Sequence, residues 1–377
     1  MKIFFLIPSL EKGGIERSLS RISRKLVYLG WEVSLITCDT SSEGESYFEK
    51  SINIIKVKTP FMYKKSLTFQ LLNNIILFFK YKKIINEQNV NLLLAAKNFP
   101  LAVFLKIFSK NNFKLILREA VDPNVAAKTQ RFYIFEKMIL YLKKRLYPKS
   151  DMIIAISQGV KDSLVEKLSI NSYKINVIYN PAADKRIIKL SKEIPEDYFF
   201  DNYTIVNIGR LTKQKDHITL LKAFKKVLNS YKCNLLIIGE GSERKSIENY
   251  IYKNSLVNNV KLLGYKSNPW KYLSKSNLFV LTSIWEGFGN VIVESMLLGT
   301  PVISTNCKSG PSEILENGKF GKLFNIYDYE NLSDLILNEI KSKSLDSEIQ
   351  KLKIRSEDFS IDKITGLYIE SFEKLLT

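Results

Sequence analysis

"SIWEGFGNVIVESMLLGTPVIST", Ser283 to Thr305, decides how this chain is read. The preceding "LFVLTS" is a short apolar run and reads as a buried strand. "IWEGFGN" is then a glycine-rich loop and "VIVESMLL" a helix, with Gly299 just past the helix end and Thr300-Pro301 opening the next strand. The helix therefore starts near Gly289 and Asn290. Its first N–H groups have no partner inside the helix, so they can bind phosphate or sugar hydroxyls. Glu294 falls about one turn in, near the positive end of the helix dipole, where an ionised carboxylate is favoured. A carboxylate there can accept both hydroxyl hydrogens of a ribose diol. Glu286 precedes the turn, nearer a reacting end. Phosphate would thus meet backbone donors and cations, while the two glutamates would meet hydroxyls. The competing structural reading is a helix cap with a surface Glu.

Outward from this stretch, strand-like and helix-like segments alternate. "KIFFLI" is a strand, and Ile15, Leu19, Ile22, Leu26 and Leu29 then recur at helical spacing up to Gly30. "EVSLITC", "INIIKV", "NLLLAA", "KLILRE", "DMIIAIS" and "KINVIYNP" read as further strands. A second series begins at "YTIVNIGRL" and runs through "NLLIIGEG", "NVKLLG", "LFVLTS" and "TPVIST" to a terminal run of helices. Such alternation predicts parallel sheets covered on both faces. A chain of 377 residues exceeds one ordinary core, so the α/β reading has two doubly wound units. Ligands would sit at the C-terminal ends of the strands. The polar, aperiodic segment Asp184–Asn202 is the candidate linker.

Three more strand ends carry chemistry. "NIGRLTKQKD" delivers Gly209, then Arg210, then Lys215; a fork and a point charge together suit a diphosphate. "IPSLEKGGIERS" places Gly13 and Gly14 before a helix, which admits close backbone approach and favours an anion, or simply makes a tight turn. It is not the G-x-G-x-x-G fingerprint, so a nicotinamide reading is weak. "IIGEGSER", with Glu240, repeats the loop logic, but there a structural turn outweighs direct contact. "SGPSEILENGKFGKLF" taken alone is loop chemistry.

The net charge is +19, with 45% hydrophobic and 25% charged residues. Between Pro60 and Ser150, 17 Lys or Arg face 4 Asp or Glu, a local excess of +13 among many Phe, Tyr, Leu and Ile. That balance suits an anionic lipid surface, a nucleic acid or a phosphorylated substrate. A solvated basic face is the plainer alternative. No RNA or DNA motif accompanies the charge, and nucleic acid is not an expected partner. Cys38, Cys233 and Cys307 are isolated and form no metal or disulfide spacing. "MKIFFLIPSL" lacks a small-residue cleavage site, and no window reaches the ~18 apolar residues of a spanning helix. These features favour a reducing, cytoplasmic setting.

Together "EGFGNVIVE", with its Glu-x7-Glu spacing, "VESMLLGTPVI", "GPSEIL", "GRLTKQKD", "GGIER", "YNP" and "IIGEG" resemble the retaining glycosyltransferases of the large family called GT4, which have the GT-B fold. The likeness covers nearly the whole chain. It implies two Rossmann-like domains facing across a cleft. The N-terminal, acceptor-binding one would span about residues 1–185 and the C-terminal, nucleotide-sugar-binding one 186–361, with a last helix, 362–377, returning to the first. The implied reaction moves a sugar from a nucleotide diphosphate sugar, UDP-linked, to a hydroxyl with retention, using no metal ion or other cofactor. Carried over, Arg210 and Lys215 neutralise the diphosphate and Glu294 holds the ribose. Glu286, with the backbone of Phe288, Gly289, Asn290 and Val291, holds the donor sugar. Gly13, Gly14, Gly209 and Glu240 complete the donor set. The chain departs from the family in one place. Many members carry a His in the N-terminal domain near the donor sugar, whereas the single His here is His217. Arg118 and Glu119, in "LILREAVDP", stand at the corresponding strand end and are the expected sugar contacts. A polyprenyl-linked or other glycan acceptor, a bacterial surface-polysaccharide role and peripheral docking on an anionic membrane complete this reading. Rival readings are a phosphorylase or epimerase on the same fold, or a basic nucleic-acid-binding protein.

Overall fold

The computed structural model describes residues 1–11, 13–38, 43–60, 67–123, 133–196, 202–342 and 346–377. The chain forms two compact units, Met1–Pro181 with Ile361–Thr377, and Ala182–Ser360.

In the first unit, seven parallel strands lie in the order β3-β2-β1-β4-β5-β6-β7. They are β1 Lys2–Leu6, β2 Glu32–Cys38, β3 Asn53–Val57, β4 Leu92–Ala95, β5 Lys114–Glu119, β6 Met152–Ala155 and β7 Ile175–Val177. Alternate side chains of a strand point to opposite faces, and both faces are covered here. Phe4 and Leu6 of β1 join one core with Leu77, Tyr81, Leu101 and Leu105 from the helices Leu67–Glu87 and Phe99–Phe108. Ile3 and Phe5 join the other, with Leu19, Ile22 and Leu26 of the helix Gly14–Tyr28. The last helix, Ile361–Leu376, completes that second face through Ile364, Tyr368 and Phe372.

In the second unit, six parallel strands lie in the order β10-β9-β8-β11-β12-β13. They are β8 Tyr203–Ile208, β9 Cys233–Ile238, β10 Val260–Gly264, β11 Leu278–Leu281, β12 Val302–Thr305 and β13 Lys322–Phe324. The order reverses direction between β1 and β4 in one sheet and between β8 and β11 in the other. Connections leave such a pair toward opposite faces, so the loops part and leave room at the strand ends. The segment expected as an aperiodic linker differs in part. Lys185–Leu190 is helical because the Asp184 side chain caps it, accepting the Arg186 N–H at 3.0 Å, and Ile187 is buried. Residues 197–201 of that segment lie outside the described residues.

Phe372 is fully buried, edge-on to Tyr368 at 5.8 Å between ring centroids and tilted 5.8 Å from Trp31. Phe372→Ala should destabilise the first unit by ~3–5 kcal/mol, through lost transfer energy and a cavity. Urea denaturation reads this, and an unchanged midpoint would contradict the packing.

Candidate active site

The strand ends of the second unit carry most of the expected donor residues. Gly209 follows β8, and a Cβ there would lie 3.3 Å from Lys215 Cε, so the lysine stem crosses over it. Arg210 is exposed, and no described residue pairs with its guanidinium. The glycines of "IIGEG" are structural. A Cβ on Gly239 would sit 1.9 Å from the Gly209 carbonyl oxygen, and one on Gly241 2.3 Å from that of Leu211. This close crossing lets Leu211 N–H donate to Glu240 O and Glu243 N–H donate to Leu211 O, each at 2.9 Å. The β9 loop thus props the loop of Arg210. The Glu240 side chain turns to Arg244, with which it forms a half-exposed ion pair.

Lys215 and Glu286 meet directly. Lys215 Nζ pairs with Glu286 Oε1, and Ser283 Oγ donates to the same oxygen at 2.6 Å. Both charged side chains are mostly buried. The two loops are knitted by their neighbours. Ile284 N–H donates to Gln214 O at 2.8 Å, and Gln214 Nε2 returns a bond to Trp285 O at 2.9 Å. Thr282 Oγ1 donates to Lys215 O at 2.8 Å, and Thr305 Oγ1 to Ser283 O at 2.6 Å. Cys307 is buried nearby. Burial, with the Glu286 charge adding to it, pushes its thiol up to about 12, so it stays protonated.

The helix expected from the Glu-x7-Glu stretch runs Asn290–Leu298. Gly289 precedes it at φ 106, a left-handed conformation that glycine adopts without strain. Asn290 and Val291 are therefore its first two residues. Phe288 is buried against Phe359, 5.5 Å between ring centroids. Its carbonyl oxygen would lie 2.0 Å from a Cβ on Gly310, whose φ is 90. Glu294 is 1% exposed, and one of its oxygens accepts Trp270 Nε1–H at 2.8 Å. Lys215, Ser283 and Glu286 are in contact, while Arg210 and the Asn290 helix start share the same strand ends. Among the described residues no group of three His, Cys, Asp or Glu could hold a metal ion.

Sequence reasoning missed three supporting residues: Gln214, Ser283 and Trp270. Gln214 and Ser283 lie inside the quoted motifs, next to their targets. Trp270 gave no signal, since it sits on a one-turn helix, Trp270–Leu273, remote in sequence from Glu294.

Beside the Lys215 loop, a pocket of about 180 Å³ is lined by Thr212, Lys213, Asp216, His217 and Glu243. His217 is 2% exposed, and neither ring nitrogen has a hydrogen-bond partner. Burial first, and the Lys215 charge second, lower its pKa to about 4.

In the first unit, Gly13 N-caps the helix Gly14–Tyr28 in extended conformation. A Cβ on it would lie 2.6 Å from Glu16 Oε2, which explains the glycine by space alone. Glu16 is buried and pairs with Lys97, just past β4, at 2.8 Å. Arg118 and Glu119 end β5 and are 3% and 8% exposed. Arg118 Nε donates to Tyr368 OH at 2.9 Å and Nη2 to Asn180 Oδ1 at 2.6 Å, whereas Nη1 has no partner. Glu119 Oε2 accepts Lys143 Nζ at 2.5 Å and Tyr147 OH at 2.6 Å. Asp122 accepts Ser163 Oγ at 2.7 Å. The charged ends of both expected sugar contacts therefore face protein partners.

Residues 191–354 match the family described as glycosyl transferases group 1, and residues 12–186 match glycosyltransferase family 4. The chain is 32% identical to an uncharacterized glycosyltransferase of Methanocaldococcus jannaschii, over 76% of this chain and 80% of the relative. It is 29% identical, over 96% of each chain, to N-acetylgalactosamine-N,N'-diacetylbacillosaminyl-diphospho-undecaprenol 4-alpha-N-acetylgalactosaminyltransferase of Campylobacter jejuni. Among solved structures, HepE of Anabaena in complex with UDP and glucose superposes with a TM-score of 0.79 at 20% identity, covering 99% of both chains. That likeness places both sheets in the GT-B fold.

Burial of His217 without a hydrogen-bond partner should make the fold pH-sensitive. Its folded pKa lies below the free-chain value of 6.5, so between those values the unfolded chain binds the extra proton. Stability should therefore fall as pH drops from 6.5 toward 4. Asp216, raised by burial, acts in the opposite sense at the acid end. Relative to His217→Leu, the wild type should lose ~1–2 kcal/mol more between pH 6.5 and 5. Parallel stability–pH curves for the two proteins would contradict this.

Proposed function

This chain belongs to the group 1, family 4 glycosyltransferases, and we propose that it moves a sugar from a UDP-sugar to a hydroxyl of a lipid-linked glycan, with retention and without a metal ion. The observation that carries this reading is the Lys215–Glu286–Ser283 cluster at the strand ends, with the unpaired Arg210 on the same loop.

Departure of the nucleoside diphosphate is the main barrier in this account, because negative charge grows on it as the glycosidic bond lengthens. Arg210 supplies a planar fork and Lys215 a point charge for those oxygens. The first-turn N–H groups of the Asn290 helix add fixed dipoles that need no reorganisation during the reaction. In the structure Glu286 holds the Lys215 ammonium. A bound diphosphate competes for that ammonium, which frees the carboxylate to accept hydroxyls of the transferred sugar. Ser283 keeps Glu286 oriented through this exchange. Glu294, fixed by Trp270, takes the ribose hydroxyls. The acceptor hydroxyl then attacks the anomeric carbon from the face the diphosphate leaves, and the departing group takes up the proton. No enzyme nucleophile is required.

The acceptor class rests on the Campylobacter relative, whose name specifies an undecaprenol-linked glycan. A cytoplasmic, membrane-facing step in bacterial surface-polysaccharide synthesis fits that acceptor. Arg118 and Glu119 act here as positioning residues, through the partners that bury them.

Glu294→Ala should weaken UDP-sugar binding at least tenfold, whereas Glu286→Ala should lower kcat by ~10²–10³ with little change in KM. Turnover should survive EDTA, release UDP rather than sugar phosphate, and give a product of unchanged anomeric configuration by NMR. Wild-type kinetics in both variants, or an inverted product, would sink the proposal.

A further inference from the structure

The strand ends of the first unit hold a second ion pair, to which the donor chemistry gives no part. Glu16 lies in the first turn of helix Gly14–Tyr28, which follows β1, and Lys97 is the second residue past β4. Their side chains meet at 2.8 Å across the point where the strand order of this sheet reverses. The pair joins the connections after β1 and β4, as Lys215–Glu286 joins those after β8 and β11. Doubly wound sheets take their ligands at such reversal points. The backbone fixes Lys97 there. Ala96 N–H donates to Leu6 O at 3.2 Å, which carries the β1–β4 pairing one residue past the strand. Asn98 is left-handed at φ 55, so the chain turns into helix Phe99–Phe108 directly after Lys97.

The two partners are buried unequally. The Glu16 side chain is 2% exposed, whereas that of Lys97 is 31% exposed. The carboxylate is therefore closed to a ligand and the ammonium open to one. An ammonium has three N–H donors, and holding Glu16 takes one of them. Among the described residues Glu16 is the partner of Lys97 Nζ, which leaves two donors free at the strand ends. A free lysine side chain must lose rotamer entropy before it can hold a ligand. Here the buried carboxylate has already ordered it. Stability alone is a weak reason for such a pair, because desolvating Glu16 costs more than attraction to a part-exposed lysine readily offsets. The ammonium is also a strongly hydrated point charge. A neutral hydroxyl replaces little of that hydration, while a phosphate oxygen replaces it with a charge-assisted bond.

We infer that Lys97, held in place by Glu16, binds a phosphate of the acceptor. The inference rests on the proposed transfer reaction, since the Campylobacter relative is named for a diphospho-undecaprenol acceptor. Glu16 keeps one N–H of the ammonium and the other two reach phosphate oxygens, so the buried carboxylate stays paired. Geranyl diphosphate and geraniol serve as probes that share a prenyl chain and differ in the phosphates. Each is titrated calorimetrically into protein saturated with UDP, so that the donor's own diphosphate site is filled. The wild type should bind geranyl diphosphate at least tenfold more tightly than geraniol. Lys97→Ala should bind the two nearly equally, and Lys97→Arg should keep most of the preference. Glu16→Gln/Lys97→Met removes both charges, leaves no unpaired carboxylate to unfold the protein, and should lose the preference as well. All three variants should keep the wild-type preference for UDP over uridine. A folded Lys97→Ala or double variant that still favours the diphosphate would overturn the subsite. Equal wild-type affinity for the two probes, with UDP binding intact, would do the same. Loss of the UDP-over-uridine preference in Lys97→Ala would also overturn it, since the ammonium would then serve the donor. A wild type that prefers geranyl diphosphate but binds no UDP would instead refute the transfer reading and leave this subsite standing.

Discussion

Lys215 and Glu286 are 71 residues apart in sequence and share one ion pair at the strand ends of the second unit. Taking two charges out of water costs several kcal/mol per ion, which mutual attraction offsets only when further hydrogen bonds fix the geometry. Here those bonds are present. Ser283 adds a second donor to the same carboxylate oxygen, and Gln214 and Thr282 bind the lysine loop to the glutamate loop through backbone groups. Much of the local architecture follows from holding this pair in place. Gly209 leaves room for the lysine stem, and Gly239 and Gly241 let the next loop brace the first. Gly310 lets a later loop press on Phe288. A Cβ at Gly239, Gly241 or Gly310 would meet a backbone carbonyl oxygen at 1.9, 2.3 or 2.0 Å, so substitution there displaces the loops themselves.

The doubly wound sheet determines where such loops can meet. In each unit the strand order reverses at one point, between β1 and β4 or between β8 and β11. In the second unit Arg210 and Lys215 follow β8, and Glu286 follows β11. In the first, the Gly13–Gly14 turn follows β1 and Lys97 follows β4, where Lys97 meets the buried Glu16. Arg118 serves a different purpose. It joins the end of β5 to Asn180 and to Tyr368 on the returning helix, while Arg21 Nη1 donates to Pro181 O at 3.1 Å. Two buried arginines thus hold the chain just before it leaves the first unit at Pro181.

The strands were legible because a parallel strand buried on both faces reads as a short unbroken apolar run, as in "KIFFLI" and "LFVLTS". Their loops were legible for the same reason, since residues directly after such runs must lie at the sheet's ligand-binding edge. Glycine at 289 and 299 marked both ends of one helix, and the left-handed backbone at each explains why. The helix Leu67–Glu87 was not legible. Its apolar residues lie on every side, so no stripe marks it as a helix. The Trp270–Glu294 bond was also hidden, because a one-turn helix has no period and nothing in the spacing ties it to a carboxylate 24 residues later. For Arg118 and Glu119, position at a strand end was readable but direction was not. The partners that bury them come from Lys143, Tyr147, Asn180 and Tyr368, far along the chain.

In the proposed mechanism the Lys215–Glu286 pair marks a diphosphate site whose lysine changes partner when the donor binds. Calorimetric titration with UDP and with uridine, on the wild type and Lys215→Ala, tests it most directly. The wild type should bind UDP at least tenfold more tightly than uridine. Lys215→Ala should lose most of that preference while remaining folded. A folded Lys215→Ala protein that still distinguishes UDP from uridine as the wild type does would contradict it.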